Sequence, residues 1–153
     1  MAGNSKQYRG FNRNSNMTLD FVKYLNRDGT QPEWLSEFIR CRKWVEDALE
    51  YSLGTHNAQD ILDGVATNAL QLWSSNKAVV ITEIMVYPRK KLLHAPIVAG
   101  NLEGVAEIAP SILEFAKFIG CQGVTTAGRK GWERTFLREY NFKPAYNCML
   151  MEI

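Results

Sequence analysis

The chain has 153 residues, a length typical of a single domain. Hydrophobic residues make up 46% and charged residues 22%, which excludes wholesale disorder and supplies enough apolar surface for a core. Eighteen Lys and Arg against sixteen Asp and Glu give a net charge of +2. The chain as a whole is therefore not expected to hold nucleic acid electrostatically, although a local basic patch remains open.

The first sixteen residues differ in composition from the rest. They contain four Asn and three cations, Lys6, Arg9 and Arg13, and no acidic residue. Such a stretch buries too little apolar area to offset its ordering entropy, so we expect residues 1–16 to be a flexible basic arm and residues 17–153 to be one domain. The arm is either an ordinary chain terminus or a segment that becomes ordered on a partner or nucleic acid.

Hydrophobic periodicity predicts two helices before the first strand. Residues from Met17 to Leu25 show a weak amphipathic pattern. A long helical pattern then opens at Pro32 and is stopped by Gly54, because glycine tolerates the positive φ that ends many helices. A second, shorter helix is predicted over Ala58–Ala66.

Three strands are predicted next, over Ala69–Trp73, Ala78–Tyr87 and Leu92–Ala99. The second is apolar on both faces, which is typical of a strand inside a sheet rather than at its edge. The third returns antiparallel after the turn that Pro88 opens. Pro96 lacks an N–H group, so we expect a bulge or a gap in the pairing there.

The main helix is predicted over residues 102–119, ending at Gly120. Pro110 lies inside its pattern, so we expect a kink or two abutting helices. Three further elements are predicted: a strand over Gly123–Thr126, a helix over Trp132–Tyr140 and a closing strand over Ala145–Met151.

This order of elements resembles the GNAT acetyltransferase fold, an α/β fold in which helices flank a central mixed β-sheet. Over residues 44–153 the chain is similar to the small GNAT-like proteins encoded by tailed bacteriophages. The resemblance rests on a series of short motifs, namely Trp73, Thr82-Glu83, Tyr87-Pro88, Gly120-Cys121, Gly128-Arg129 and Gly131-Trp132-Glu133-Arg134. Some GNAT-like phage proteins travel inside the virion, so the resemblance implies phage or virion proteins as partners.

In GNAT enzymes a turn of pattern Q/R-x-x-G-x-G/A holds the pyrophosphate of acetyl-CoA at a helix N-terminus. The resemblance places this turn at Gly100 and Asn101, with Gly104 as an alternative second glycine. Leu102 stands where the pattern has a small residue, and Glu103 brings a negative charge into the first turn. A degenerate site without cofactor is therefore the favoured prediction, with acetyl-CoA as the cofactor if the protein is active.

Glu83 is the candidate catalytic base, because it lies in the middle of an apolar strand. The alternative is a Glu that reaches solvent past a sheet edge or pairs with Lys77 or Arg89. His94 is on the neighbouring predicted strand and can approach it. The resemblance puts the general acid at Leu137, a side chain that cannot donate a proton.

Arg129, Trp132 and Arg134 are candidate binding residues beside the start of the last predicted helix. Two guanidinium groups there suit an anion, such as the CoA 3′-phosphate, a nucleic-acid backbone or an acidic partner. The alternative is structural, with Arg129 capping carbonyl groups and Trp132 packed on the sheet.

Neither a membrane span nor a secretory signal is predicted, since no apolar run approaches the roughly 20 residues that cross a bilayer. Cys41, Cys121 and Cys148 lie far apart and form no CxxC pair, so neither a disulfide framework nor a metal site is indicated. We expect the protein in the host cytoplasm, in the virion, or in both.

Three functions remain open from the sequence. The favoured one is a phage-encoded GNAT-fold protein that acts as a binding or virion component. The second is an active N-acetyltransferase that moves an acetyl group from acetyl-CoA to an amine. The third is a nucleic-acid-binding accessory protein that uses the arm with Arg129 and Arg134. Self-association is compatible with all three.

Overall fold

The computed structural model describes residues 18–127 and 134–153; the arm lies outside the described residues. The helices are α1 (Glu33–Leu49), α2 (Ala58–Ala66) and α3 (Leu102–Phe118). The strands are β1 (Leu70–Ser74), β2 (Ala78–Val86), β3 (Lys91–Gly100) and β4 (Gly123–Thr126). Short 3-10 turns cover Val22–Tyr24 and Phe136–Arg138.

The four strands form one mixed sheet in the order β1-β2-β3-β4. β2 pairs antiparallel with β1 and β3, whereas β3 and β4 run parallel. The interior position predicted for the second strand is confirmed. A mixed sheet with helices on both faces also confirms the predicted fold class.

The first face of the sheet is covered by α1, α2 and the segment that precedes them. Side chains at helical spacing along α1, including Leu35, Phe38 and Val45, are fully buried against Val79 and Ile81 of β2. A capping box starts α2: the Asn57 side chain accepts a hydrogen bond from the Asp60 backbone N–H, and the Asp60 carboxylate accepts one from the Asn57 backbone N–H. This face holds the larger part of the core.

Among the described helices, α3 covers the second face, and residues 137–142 lie beside it. Val80 of β2 and Leu93 of β3 point to this side, because successive residues of a strand alternate between faces. They meet Val105, Ile108 and Ile112 of α3. No helix within the described ranges is long and apolar enough to cross a membrane.

Pro96 lies at the predicted irregularity. The β2–β3 register shifts between Ile81 and Glu83, so that Ala95 and Pro96 together oppose Thr82. The expected bulge is therefore confirmed, and its cause is the N–H group that Pro96 lacks.

Pro110 lies on the exposed side of one continuous helix, so the pair of abutting helices is wrong and a kink stays a prediction. Two further expectations along the chain are wrong. Within residues 134–140 the chain forms only a 3-10 turn closed by i→i−3 bonds, such as that from the Tyr140 N–H to the Leu137 carbonyl. Residues 145–151 form no strand, because a strand needs an edge to pair with and this segment pairs with none of the described strands.

Candidate functional site

The parallel pair of β3 and β4 is short and stops in the middle of β3. Cα partners run from Leu92 with Gly123 to Ala95 with Thr126. Beyond Ala95, β3 continues to Gly100 with no partner on this side among the described strands. The sheet thus opens at Pro96, and we call this opening the fork.

An apolar pocket lies beside the fork on the second face. It is lined by β2, β3, β4, α3 and residues 137–142. Thr126 and Tyr140 are the polar residues in its lining, which is otherwise aliphatic or aromatic. Leu137, at the position that the resemblance gives to the general acid, is one of the lining residues. The pocket suits an apolar group and offers little to hold a charge.

The candidate cofactor turn is closed by packing within the chain. β3 passes into α3 through Asn101 alone. Gly100 has φ +100°, and a Cβ there would collide with the Lys77 carbonyl oxygen and lie 2.7 Å from the Ala78 Cα. A Cβ at Gly104 would lie 2.8 Å from the Lys77 Cβ. Both glycines therefore make room for the β1–β2 turn, not for a ligand.

Two of the N–H groups at the start of α3, those of Asn101 and Glu103, also have partners. The Asn101 N–H donates to the Lys77 carbonyl at 2.8 Å, and the Asn101 side chain accepts from the Glu103 N–H at 2.7 Å. The Lys77 ammonium lies 3.2 Å from the Glu103 carboxylate. A pyrophosphate here would have to displace these bonds and approach the Glu103 charge, so these residues do not fit acetyl-CoA held in the GNAT manner.

The candidate base lies on the opposite face from the pocket. Glu83 is half-buried on β2 and directly opposite His94 on β3. His94 in turn is the register partner of Thr125, and the His94 Nδ1 is 2.8 Å from the Thr125 Oγ1. These three side chains form a polar row across three strands at the base of the fork. Glu83 makes no hydrogen bond or ion pair with another described residue, so its carboxylate is available.

Sequence reasoning missed two participants in these arrangements. Lys77 receives the start of α3 and pairs with Glu103, and Thr125 bonds His94. Lys77 was predicted only as a turn residue and as a candidate partner of Glu83, and it pairs with Glu103 instead. Thr125 carried a weak signal, since it lies within the strand predicted over Gly123–Thr126.

The candidate anion-binding cluster cannot be assembled from the described residues. Arg129 and Trp132 lie outside them, whereas Arg134 is described and exposed. The assignment of the three residues to one site stays a prediction.

The fold is similar to solved structures at low sequence identity. A tetramutant of the BH1408 protein from Bacillus halodurans matches with a TM-score of 0.54 and 13% identity, over 77% of this chain and 93% of that one. An acetyltransferase from Trypanosoma brucei matches with a TM-score of 0.53 and 11% identity, over 70% and 89%. A transcriptional regulator from Bacillus halodurans C-125 matches with a TM-score of 0.50 and 12% identity, over 100% and 95%.

No protein-family model and no curated protein sequence matches the chain. Because the structural matches have 10–13% identity, they establish the fold alone. The chain has a GNAT-like fold, a mixed sheet flanked by helices as in the trypanosomal acetyltransferase.

Proposed function

We propose that this chain is a phage-encoded GNAT-fold binding protein whose acetyl-CoA site is degenerate. The observation that carries the proposal is the start of α3. Gly100 and Gly104 are packed on the β1–β2 turn, and one residue, Asn101, separates β3 from the helix. A pyrophosphate needs several free backbone N–H groups, and this connection is too short and too closely packed to offer them.

Calorimetric titration with acetyl-CoA tests the degenerate site directly. We expect a Kd weaker than about 0.1 mM, which corresponds to less than roughly 5.5 kcal/mol of binding free energy. A Kd in the low micromolar range overturns the proposal.

Two matched variants locate any binding that is found. Glu103→Gln removes the charge in the first turn of α3, and Glu107→Gln removes an exposed charge one turn further along. Tighter binding in the first variant alone would place the ligand at the start of α3.

The virion assignment is supported by the sequence resemblance over residues 44–153 and is tested on particles. Mass spectrometry of purified virions is expected to detect the chain in amounts comparable with other internal proteins. Detection only in the lysate of infected cells contradicts it. Deletion of residues 1–16, which removes three cations and no acid, is expected to weaken association with virion proteins.

Acetyl transfer to an amine is the second candidate function, and one observation favours it. Glu83 and His94 face each other on adjacent strands at the base of the fork. A carboxylate in this position can accept the proton of an incoming amine. If transfer is detected, Glu83→Gln is expected to lower kcat about 100- to 10,000-fold. Unchanged kcat removes Glu83 from the reaction.

A further inference from the structure

The β2–β3 hairpin and the last residues of α3 form one surface, at the opposite end of α3 from the candidate cofactor turn. The Lys91 ammonium donates to the Ile119 carbonyl at 2.9 Å, and the Gln122 N–H donates to the Lys91 carbonyl at 2.8 Å. Lys91 is also the register partner of Val86. We call residues 86–91 together with residues 117–118 the hairpin patch.

Large apolar side chains of the hairpin patch are exposed. Phe118 is 86% exposed, although Phe115 in α3 and Ile119 directly after the helix pack on the core. Val86 is 75% exposed and Tyr87 49%. These side chains add nothing to the core, and exposed apolar groups gathered at one place mark an interaction surface.

The charge of the hairpin patch has one sign. Arg89, Lys90, Lys91 and Lys117 lie in it with no acidic residue, and none of the four is in an ion pair with another described residue. The rest of the chain has fourteen cations and sixteen acids. Positive charge is thus concentrated here, and the partner that complements it is an anion.

We propose that the hairpin patch binds single-stranded nucleic acid. The four cations contact phosphate groups, while the Phe118 and Tyr87 rings offer faces on which unpaired bases stack. A stacked duplex has no free base faces for these rings. The inference is independent of acetyl-CoA binding, because the hairpin patch and the start of α3 share no residue.

The position of the charges favours nucleic acid over an anionic membrane. Pro88 and Arg89 form the outermost part of the hairpin, since the Tyr87 N–H donates to the Lys90 carbonyl at 2.7 Å to close the turn. Val86 lies behind them on the strand. Insertion into a membrane would therefore bury Arg89 before the apolar side chains, which is costly.

Fluorescence anisotropy of a labelled oligothymidylate of about 15 nucleotides, with the full chain, tests the proposal. Contact with three or four phosphates predicts a slope of about −2 to −3 for log K against log salt concentration. Phe118→Ala is expected to weaken binding about 5- to 100-fold, as loss of one stacked base does, and to leave the slope unchanged. Tyr146→Ala, equally exposed at 86%, is the aromatic control and should have no effect.

The double variant Arg89→Ala/Lys90→Ala tests the phosphate contacts. It should make the slope of log K against log salt concentration about 1.4 less steep, because two phosphate contacts are lost and each contributes about 0.7 for a single strand. Arg27→Ala/Lys43→Ala removes the same charge from exposed positions elsewhere and should leave the slope nearly unchanged.

Four results overturn the proposal. They are absence of oligothymidylate binding, binding that Phe118→Ala does not weaken, equal loss in the two double variants, and preference for duplex over single strand. Binding through the arm gives the second result, because the arm is intact in Phe118→Ala. Sedimentation with phosphatidylserine vesicles in the absence of oligothymidylate binding would instead identify a membrane surface.

Discussion

The helices on the two faces of the sheet are buried to different degrees. Leu35 and Val45 of α1, on the first face, have no accessible surface. Ile108 and Ile112 of α3, on the second face, are 5% and 7% exposed. Two helices and the segment before them cover the first face, but one helix covers the second, where the fork leaves an apolar pocket. The difference indicates that stability is concentrated on the first face and that room for a ligand lies on the second.

The second face is itself uneven. At the start of α3, Gly100 and Gly104 bring the helix directly onto Lys77 and Ala78. At the fork, by contrast, Ala109 and Leu113 of the same helix line the pocket. The turn to which the resemblance assigns phosphate binding is thus the tightly packed part of this face. The following predictions test these contrasts, beginning with the largest effect.

Truncation of a leucine on each face tests the main contrast. Leu35→Ala is expected to lower the free energy of unfolding by about 3–5 kcal/mol, because a closed cavity remains. Leu113→Ala, at a half-buried position beside the pocket, should cost only about 1 kcal/mol. Urea denaturation measures both. Equal losses would show that the two faces are packed alike.

Alanine substitution at two glycines with positive φ distinguishes the cost of backbone strain from the cost of close packing. Gly29 has φ +83° and nothing within 4 Å of its missing Cβ, so Gly29→Ala should cost about 1 kcal/mol from strain alone. Gly100→Ala adds the collision with Lys77 and should cost about 3 kcal/mol. A similar cost for the two variants would mean that α3 can shift away from the turn and that the cofactor site can open.

Enlarging a small side chain on each face sharpens the contrast further. Ala109→Leu projects into the pocket and is expected to change stability by less than about 1 kcal/mol, in the stabilising direction. Cys41→Leu overfills a fully buried position on α1 and should cost about 1–3 kcal/mol. Thermal denaturation distinguishes these outcomes, and a destabilised Ala109→Leu variant would contradict an open pocket.

The segment before α1 adds a pH-dependent contact to the first face. The Tyr24 hydroxyl donates to the Asp63 carboxylate, and this bond lowers the pKa of Asp63 and raises the pKa of Tyr24. Because the folded-state pKa of Asp63 is depressed, its contribution is present above the unfolded value of about 3.9 and is lost as pH falls through the folded value. The Tyr24 contribution is present below the unfolded pKa of about 10 and is lost as pH rises through the folded value.

Tyr24→Phe is therefore expected to weaken the loss of stability on the acid side, measured by urea denaturation between about pH 3 and pH 7. Gln59 and Lys23 still contact Asp63, so the dependence should shrink without vanishing. Tyr87→Phe, at an exposed tyrosine whose hydroxyl bonds no other described residue, is the control. An unchanged acid profile in Tyr24→Phe would mean that the hydroxyl does not hold Asp63 in solution.

Local patterns were sufficient for most of the elements. Apolar spacing placed α2 at its observed limits and β2 and β3 within one residue of theirs, because these segments alternate or repeat with the period of one structure. The elements that apolar spacing predicted after Thr126 are not observed in the described residues. Residues 145–151 have the composition of a strand, but composition supplies no edge to pair with.

The candidate site likewise combines features that the sequence predicted with features that required the tertiary structure. The residue types at Leu137 and Glu103 are read directly from the sequence, so the sequence by itself was enough to predict that these positions depart from the GNAT pattern that the resemblance implies. The pairing of Glu83 with His94 required the register of two strands, which depends on the bulge at Pro96. The roles of Gly100 and Gly104 were decided only by the tertiary structure. A glycine that admits a ligand and one that admits a neighbouring turn are identical in sequence, and the difference lies in Lys77, more than twenty residues away.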